Sequence, residues 1–143
     1  MEDFSRHFYK LLTEEYKGIN LTRINEFNEF ETKQIIDSVK PYEISTTFKN
    51  LINKSKIMVD VGFGGGFPIL PMAKLLPEIK FVGVETRNKK VKVVGEIAGL
   101  LGLNNTHFVH SRIENFFIDI ECVVTLKAVG KVNDFLSKIS TDK

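Results

Sequence analysis

The chain has 143 residues, 43% hydrophobic and 27% charged, the balance of one globular domain with little room for a second. Twenty lysines and arginines against 18 acids leave a net charge of +2, which does not by itself mark a nucleic-acid or membrane partner. No apolar run approaches the ~18 residues that span a bilayer, the start Met-Glu-Asp-Phe-Ser-Arg lacks a secretory pattern, and the lone Cys122 cannot form an internal disulfide, so the expected compartment is the cytoplasm, with no membrane partner.

Residues 1–56 read as a helical extension. Phe4, Phe8, Leu11, Leu12 and Tyr16 form one apolar stripe at helical spacing. Gly18 interrupts it, and Ile19-Asn20-Leu21-Thr22 is a short connector. A second helix is expected near 26–39, with Phe27, Phe30, Ile36 and Val39 on one side, ended by Pro41. A third carries Ile44, Phe48, Leu51 and Ile52 before a polar hinge, Asn53-Lys54-Ser55-Lys56.

From Ile57 the pattern alternates strand and helix, so residues 57–143 read as an α/β core. A first strand is expected from the apolar run Ile57-Met58-Val59, and others at 80–85, 106–110 and 122–126. Pro68 suits the start of a helix running to about Leu76. The next helix turns Val91, Val94, Ile97, Ala98 and Leu101 inward and ends at Gly102. Gly95 and Gly99 within it are expected to allow close packing on the sheet. A final short helix is expected over 132–139.

The first strand runs into Val59-Asp60-Val61-Gly62-Phe63-Gly64-Gly65-Gly66-Phe67-Pro68. A nearly side-chain-free loop at the C-terminal end of a strand is where open α/β sheets bind nucleotides, because backbone can approach the ligand there. Gly62, Gly64 and Gly66 are spaced G-x-G-x-G, and Phe67 stands where the dinucleotide fingerprint wants a third small residue. The form is similar to the first motif of S-adenosylmethionine-dependent methyltransferases; a tight turn without ligand stays open. Glu85 ends the second strand, about twenty residues after Gly62, the separation at which an acid accepts both hydroxyls of a ribose. Arg87, Lys89, Lys90 and Lys92 follow it, suited to phosphates or to a solvated helix face. His7, His107 and His110 are isolated, and no Cys/His group has metal-ligand spacing.

Ile19-Asn20-Leu21-Thr22, Ile36-Asp37-Ser38, Gly66-Phe67-Pro68, Ser111-Arg112-Ile113-Glu114 and Val124-Thr125-Leu126-Lys127-Ala128-Val129 occur in this order in one group, across about residues 8–137. The chain resembles the bacterial small-subunit rRNA methyltransferase G family, also called glucose-inhibited division protein B. The resemblance implies methyl transfer from S-adenosylmethionine to N7 of a guanine in 16S rRNA, with the rRNA or the small ribosomal subunit as partner. It implies that Gly62 and Phe67 contact the cofactor, that Ile113 and Glu114 flank the adenine, and that Lys127 stands at the methionine end, where the family has arginine. Gln34, Ile69 and Leu126 replace a histidine, a glycine and a serine of the family, and Ile69 adds bulk near the loop.

The implied fold is a Rossmann-like sheet of about four parallel strands in the order 3-2-1-4, a short or C-terminally truncated form of the family's seven strands. Its fourth strand would be an exposed edge open to self-association. A cofactor- or RNA-binding protein without activity, a small-molecule methyltransferase and a dinucleotide-binding enzyme are the competing readings.

Overall fold

The computed structural model describes residues 1–126 together with the backbone of Ser140 and Thr141. Its centre is a parallel sheet in the order β3-β2-β1-β5, formed by β1 (Ile57–Val61), β2 (Lys80–Glu85), β3 (Thr106–His110) and β5 (Val123–Leu126). This is the expected 3-2-1-4 order, with one two-residue strand, β4 (Phe117–Ile118), intervening in the chain. β4 pairs in parallel with β6 (Ser140–Thr141) as a separate ladder that the sequence pattern did not announce. The expected helix over 132–139 lies outside the described residues.

β1 is buried almost throughout because both sheet faces are covered, which is why it reads as a continuous apolar run. Met58 joins the main core, while Val59 and Val61 pack with Val84 and Ile113 on the other face. The register pairs Asp60 with Gly83 and Thr125, and Val61 with Val84 and Leu126. Gly83 is required by its neighbours: a Cβ there would stand 2.7 Å from the Phe63 ring and 2.9 Å from that of Phe108.

The helices are α1 (Glu2–Lys10), α2 (Phe27–Phe30), α3 (Asp37–Ile44), α4 (Thr46–Ser55), α5 (Ile69–Leu75) and α6 (Asn88–Leu100). A wide, π-wound stretch, Glu31–Ile36, joins α2 to α3, so the chain stays helical from Phe27 to Ile44. Pro41 therefore lies inside α3 and does not end the helix as expected. Burial of Phe30, Ile35, Ser38 and Val39 holds the helix through the proline, against an interior cost of about 3 kcal/mol. Of the expected hinge at 53–56, residues 53–55 are the last turn of α4, and only Lys56, at φ 63°, makes the turn into β1.

α6 ends as expected. Gly102, at φ 73°, donates its N–H to Gly99 O, and the Leu103 N–H donates to Ala98 O, the paired bonds of a Schellman cap. Its inner face also includes Val93, which is buried. The expected close packing at Gly95 and Gly99 is corrected: a Cβ at Gly95 would make an ordinary 3.7 Å contact with Phe108, and one at Gly99 would meet nothing within 4 Å. Asn105 ties the sheet edge to α5, its Nδ2 donating to the carbonyls of Ala73, Leu76 and Ile79 at 3.0–3.1 Å.

The N-terminal helices and the sheet share one apolar cluster. Phe8 stacks on Phe67 with ring centroids 5.0 Å apart, and Phe30 meets both rings edge-on. The close approach is at Gly65, where a Cβ would stand 2.4 Å from the Leu21 carbonyl oxygen. Backbone cannot yield as a side-chain tip does, so Gly65→Ala is expected to destabilise by about 1–3 kcal/mol, the scale of overpacking. The urea midpoint measures this, and a midpoint equal to wild type refutes the contact.

Candidate functional site

The C-terminal ends of β1, β2 and β3 finish side by side. The Gly62 N–H donates to Val84 O at 2.8 Å, extending the β1–β2 ladder by one residue beside Glu85. The Ser111 N–H donates to Glu85 O at 3.0 Å and sets the exit of β3 next to it. β2 and β5 lie on opposite sides of β1, so the strand order reverses here, the position at which open α/β sheets form a ligand crevice.

The glycine loop rises over this end. Gly62, Gly64 and Gly66 have φ of 70°, 55° and 96°. The Gly66 N–H donates to Phe63 O, and the Leu70 N–H donates to Gly66 O, which ties the loop into α5. Both phenylalanines point down: Phe63 packs on Phe108, and Phe67 is buried against Phe8 and Phe30. Phe67 thus offers a ligand its backbone and not its ring. A Cβ at Gly64 would meet nothing within 4 Å, so the loop tip is open on that side. Ile69, expected to crowd the loop, is wholly buried as the first residue of α5.

Glu85 is 4% exposed. Burial alone would raise its pKa, but it is outweighed and the carboxyl is held below its ordinary value. The opposing groups are the Arg87 N–H at 3.1 Å from Oε2, the Arg87 guanidinium 3.6 Å from Oε1, and the backbone and hydroxyl of Thr86. The group is an ionised acceptor at the strand ends, the state a ribose diol needs.

Of the other anticipated site residues, Ile113 is buried beneath the end of the sheet in a short 3₁₀ turn, packed with Val59, Val61 and Val84. Glu114 follows it, exposed, with Arg112 Nη1 3.5 Å from its Oε1. Lys127 lies outside the described residues. The basic cluster divides. Arg87 and Lys90 stand near Glu85, with the Lys90 pKa lowered by burial and then by repulsion from Arg87, while Lys89 and Lys92, like Arg87, are exposed. His110 donates from Nε2 to Thr86 O at 2.9 Å, a structural bond. Burial raises the Cys122 thiol. Among the described residues, no three His, Cys, Asp or Glu side chains gather as a metal site, and no helix is long and apolar enough to cross a membrane.

A cavity of about 560 Å³ opens between α3, α5 and β5, beside the loop's end at Pro68. Among the described residues, Asp37, Ser38 and Thr125 are its polar side chains. Thr125 donates its hydroxyl to Oδ1 of the buried Asp60 at 3.0 Å. The sequence marked Asp37 and Ser38 as a motif, but nothing local placed Thr125 opposite them.

The Glu85 contribution to stability is complete above its ordinary pKa of 4.5 and disappears as pH falls through the lower folded value. Glu85→Gln is expected to flatten the acid limb of a urea-midpoint profile below about pH 4.5. A limb as steep as that of wild type contradicts the assignment.

The family model described as rRNA small subunit methyltransferase G matches residues 2–141. Proteins named ribosomal RNA small subunit methyltransferase G from Streptococcus pyogenes serotypes M12 and M5 are 39% identical over 136 residues, covering 92% of this chain and 55% of theirs. The chain therefore spans about half the length of the curated relatives it matches. A SAM-dependent methyltransferase structure from Aquifex aeolicus has a TM-score of 0.43 at 19% identity, over 71% of this chain and 62% of its own. With nearly the whole described fold inside the matched region, this chain belongs to the rRNA small subunit methyltransferase G family.

Proposed function

We propose that this chain is an S-adenosylmethionine-dependent methyltransferase that acts on N7 of a guanine in 16S rRNA, free or in the small ribosomal subunit. The observation that carries the reading is the family match over residues 2–141, which spans the glycine loop, Glu85 and the segment following β3. The residues fit the cofactor. The backbone of Gly62, Gly64, Gly66 and Phe67 lines the approach, and the open side of Gly64 leaves room for it. Ionised Glu85 accepts from the ribose hydroxyls, and Ile113 with Glu114 borders the adenine. Lys127 is assigned to the carboxylate end as a point charge without the planar fork of arginine.

The cofactor, when bound, supplies an activated methyl group on a sulfonium. Guanine N7 has an in-plane lone pair and no proton, so the protein needs no general base. Its work is to hold the base edge in line and to exclude competing orientations. That requirement agrees with a site in which the His110 ring is engaged by the Thr86 carbonyl and Glu85 is an ionised acceptor.

Calorimetry with S-adenosylmethionine and with NAD separates this reading from a dinucleotide enzyme, and binding of NAD alone overturns it. Glu85→Ala is expected to weaken cofactor binding by about 1.5–3 kcal/mol, the scale for hydrogen bonds to a charged group. An unchanged dissociation constant returns Glu85 to a structural role. Mapping N7-methylguanine in 16S rRNA from cells with and without the protein tests the substrate.

RNA affinity is expected to fall with rising salt, and replacing Arg87, Lys89, Lys90 and Lys92 by alanine to reduce that slope. The slope of log affinity against log salt measures it, and an identical slope in the fourfold variant removes these residues from the RNA path.

A further inference from the structure

We propose that the cavity between α3 and β5 receives the guanine ring, and that Asp37 reads its donor-bearing edge. The inference rests on the reading above, in which guanine is the methyl acceptor, and names how that base is recognised. The volume of about 560 Å³ suits a nucleobase with part of its sugar. Phe48, Met58 and Met72 supply apolar walls, while Pro41 and Pro68 contribute no N–H groups.

The directions of the hydrogen bonds decide the chemistry. The Ser38 hydroxyl donates to the Gln34 carbonyl, and the Thr125 hydroxyl donates to Asp60 Oδ1. A hydroxyl has one proton, so each turns only lone pairs toward the cavity. Asp37 is an acceptor when ionised, and among the described residues its carboxylate has no hydrogen bond or ion pair. Among the described residues, the lining side chains therefore offer acceptors and no donors.

The complementary ligand is a flat ring with several N–H bonds on one edge. Guanine has them in N1–H and the N2 amino group, whereas adenine places an acceptor nitrogen beside its amino group. N7 belongs to the five-membered ring, away from that edge, so gripping the edge leaves the methyl-accepting atom uncovered. Pro68 at the cavity and Leu126, in register with Val61, connect it to the loop end of the sheet, where the methyl donor is assigned.

The chain has three methionines; Met58 and Met72 line the cavity, and Met1 does not. With ¹³C-labelled methionine methyl groups, guanosine monophosphate is expected to shift the Met58 and Met72 signals and leave Met1 unmoved. Adenosine monophosphate, and inosine monophosphate, which lacks the N2 amino group, should each need at least about tenfold more ligand, since an unpaired acceptor in a polar site is penalised. Asp37→Asn should erase the preference for guanine over inosine while calorimetry finds unchanged affinity for S-adenosylmethionine. Silent Met58 and Met72 signals with guanosine monophosphate, an equal response to adenosine monophosphate, or a response to arginine alone, which marks a cationic partner, each overturns the proposal. Bound S-adenosylmethionine with silent methionines defeats this inference only; guanine-selective shifts without cofactor binding support it and defeat the cofactor assignment.

Discussion

The Leu21 carbonyl and Gly65 meet backbone to backbone, and the shape of the glycine loop depends on that contact. A side chain at 65 would hold the connector away, and with it the helices that bury Phe67. Phe63 is fixed on Phe108, so the loop is held from below at both ends while Gly64 stays open above. A loop fixed before its ligand arrives loses less entropy on binding, so more of each contact appears as affinity. The helical segment thus acts on the site by shaping the loop, without needing to touch a ligand there.

Glu85 shows the same economy at the sheet ends. Burial opposes its charge, and a buried unpaired carboxylate would take up a proton. The Arg87 N–H, the Arg87 guanidinium and Thr86 reverse that tendency within two residues of chain. The turn from β2 into α6 therefore keeps the acid ionised before any ligand or partner is present.

Much of this was legible in the sequence. β1, β2 and β5 are largely apolar runs, β3 follows the Gly102 cap, and their order followed from βαβ logic together with the family resemblance. The Schellman cap at Gly102 was visible because glycine follows the last inward leucine. Pro41 was misread because its local rule is overridden by burial of Ile35 and Val39, which the sequence does not locate. Gly65 was legible as a glycine but not in its reason, since approach of a ligand and approach of Leu21 leave the same residue. Gly95 and Gly99 were assigned a packing role that Gly65 and Gly83 have instead. The acceptor character of Ser38 and Thr125 depends on where one proton points, which composition and spacing do not carry.

The stacking of Phe8 on Phe67 also sets an order of events during synthesis. Phe8 leaves the ribosome first, and its ring partner follows about sixty residues later. At roughly 5–20 residues per second, the apolar stripe of α1 waits on the order of 3–12 s for the surface that buries it. The contact that later holds the glycine loop in shape therefore cannot form until about sixty residues after Phe8 have been made.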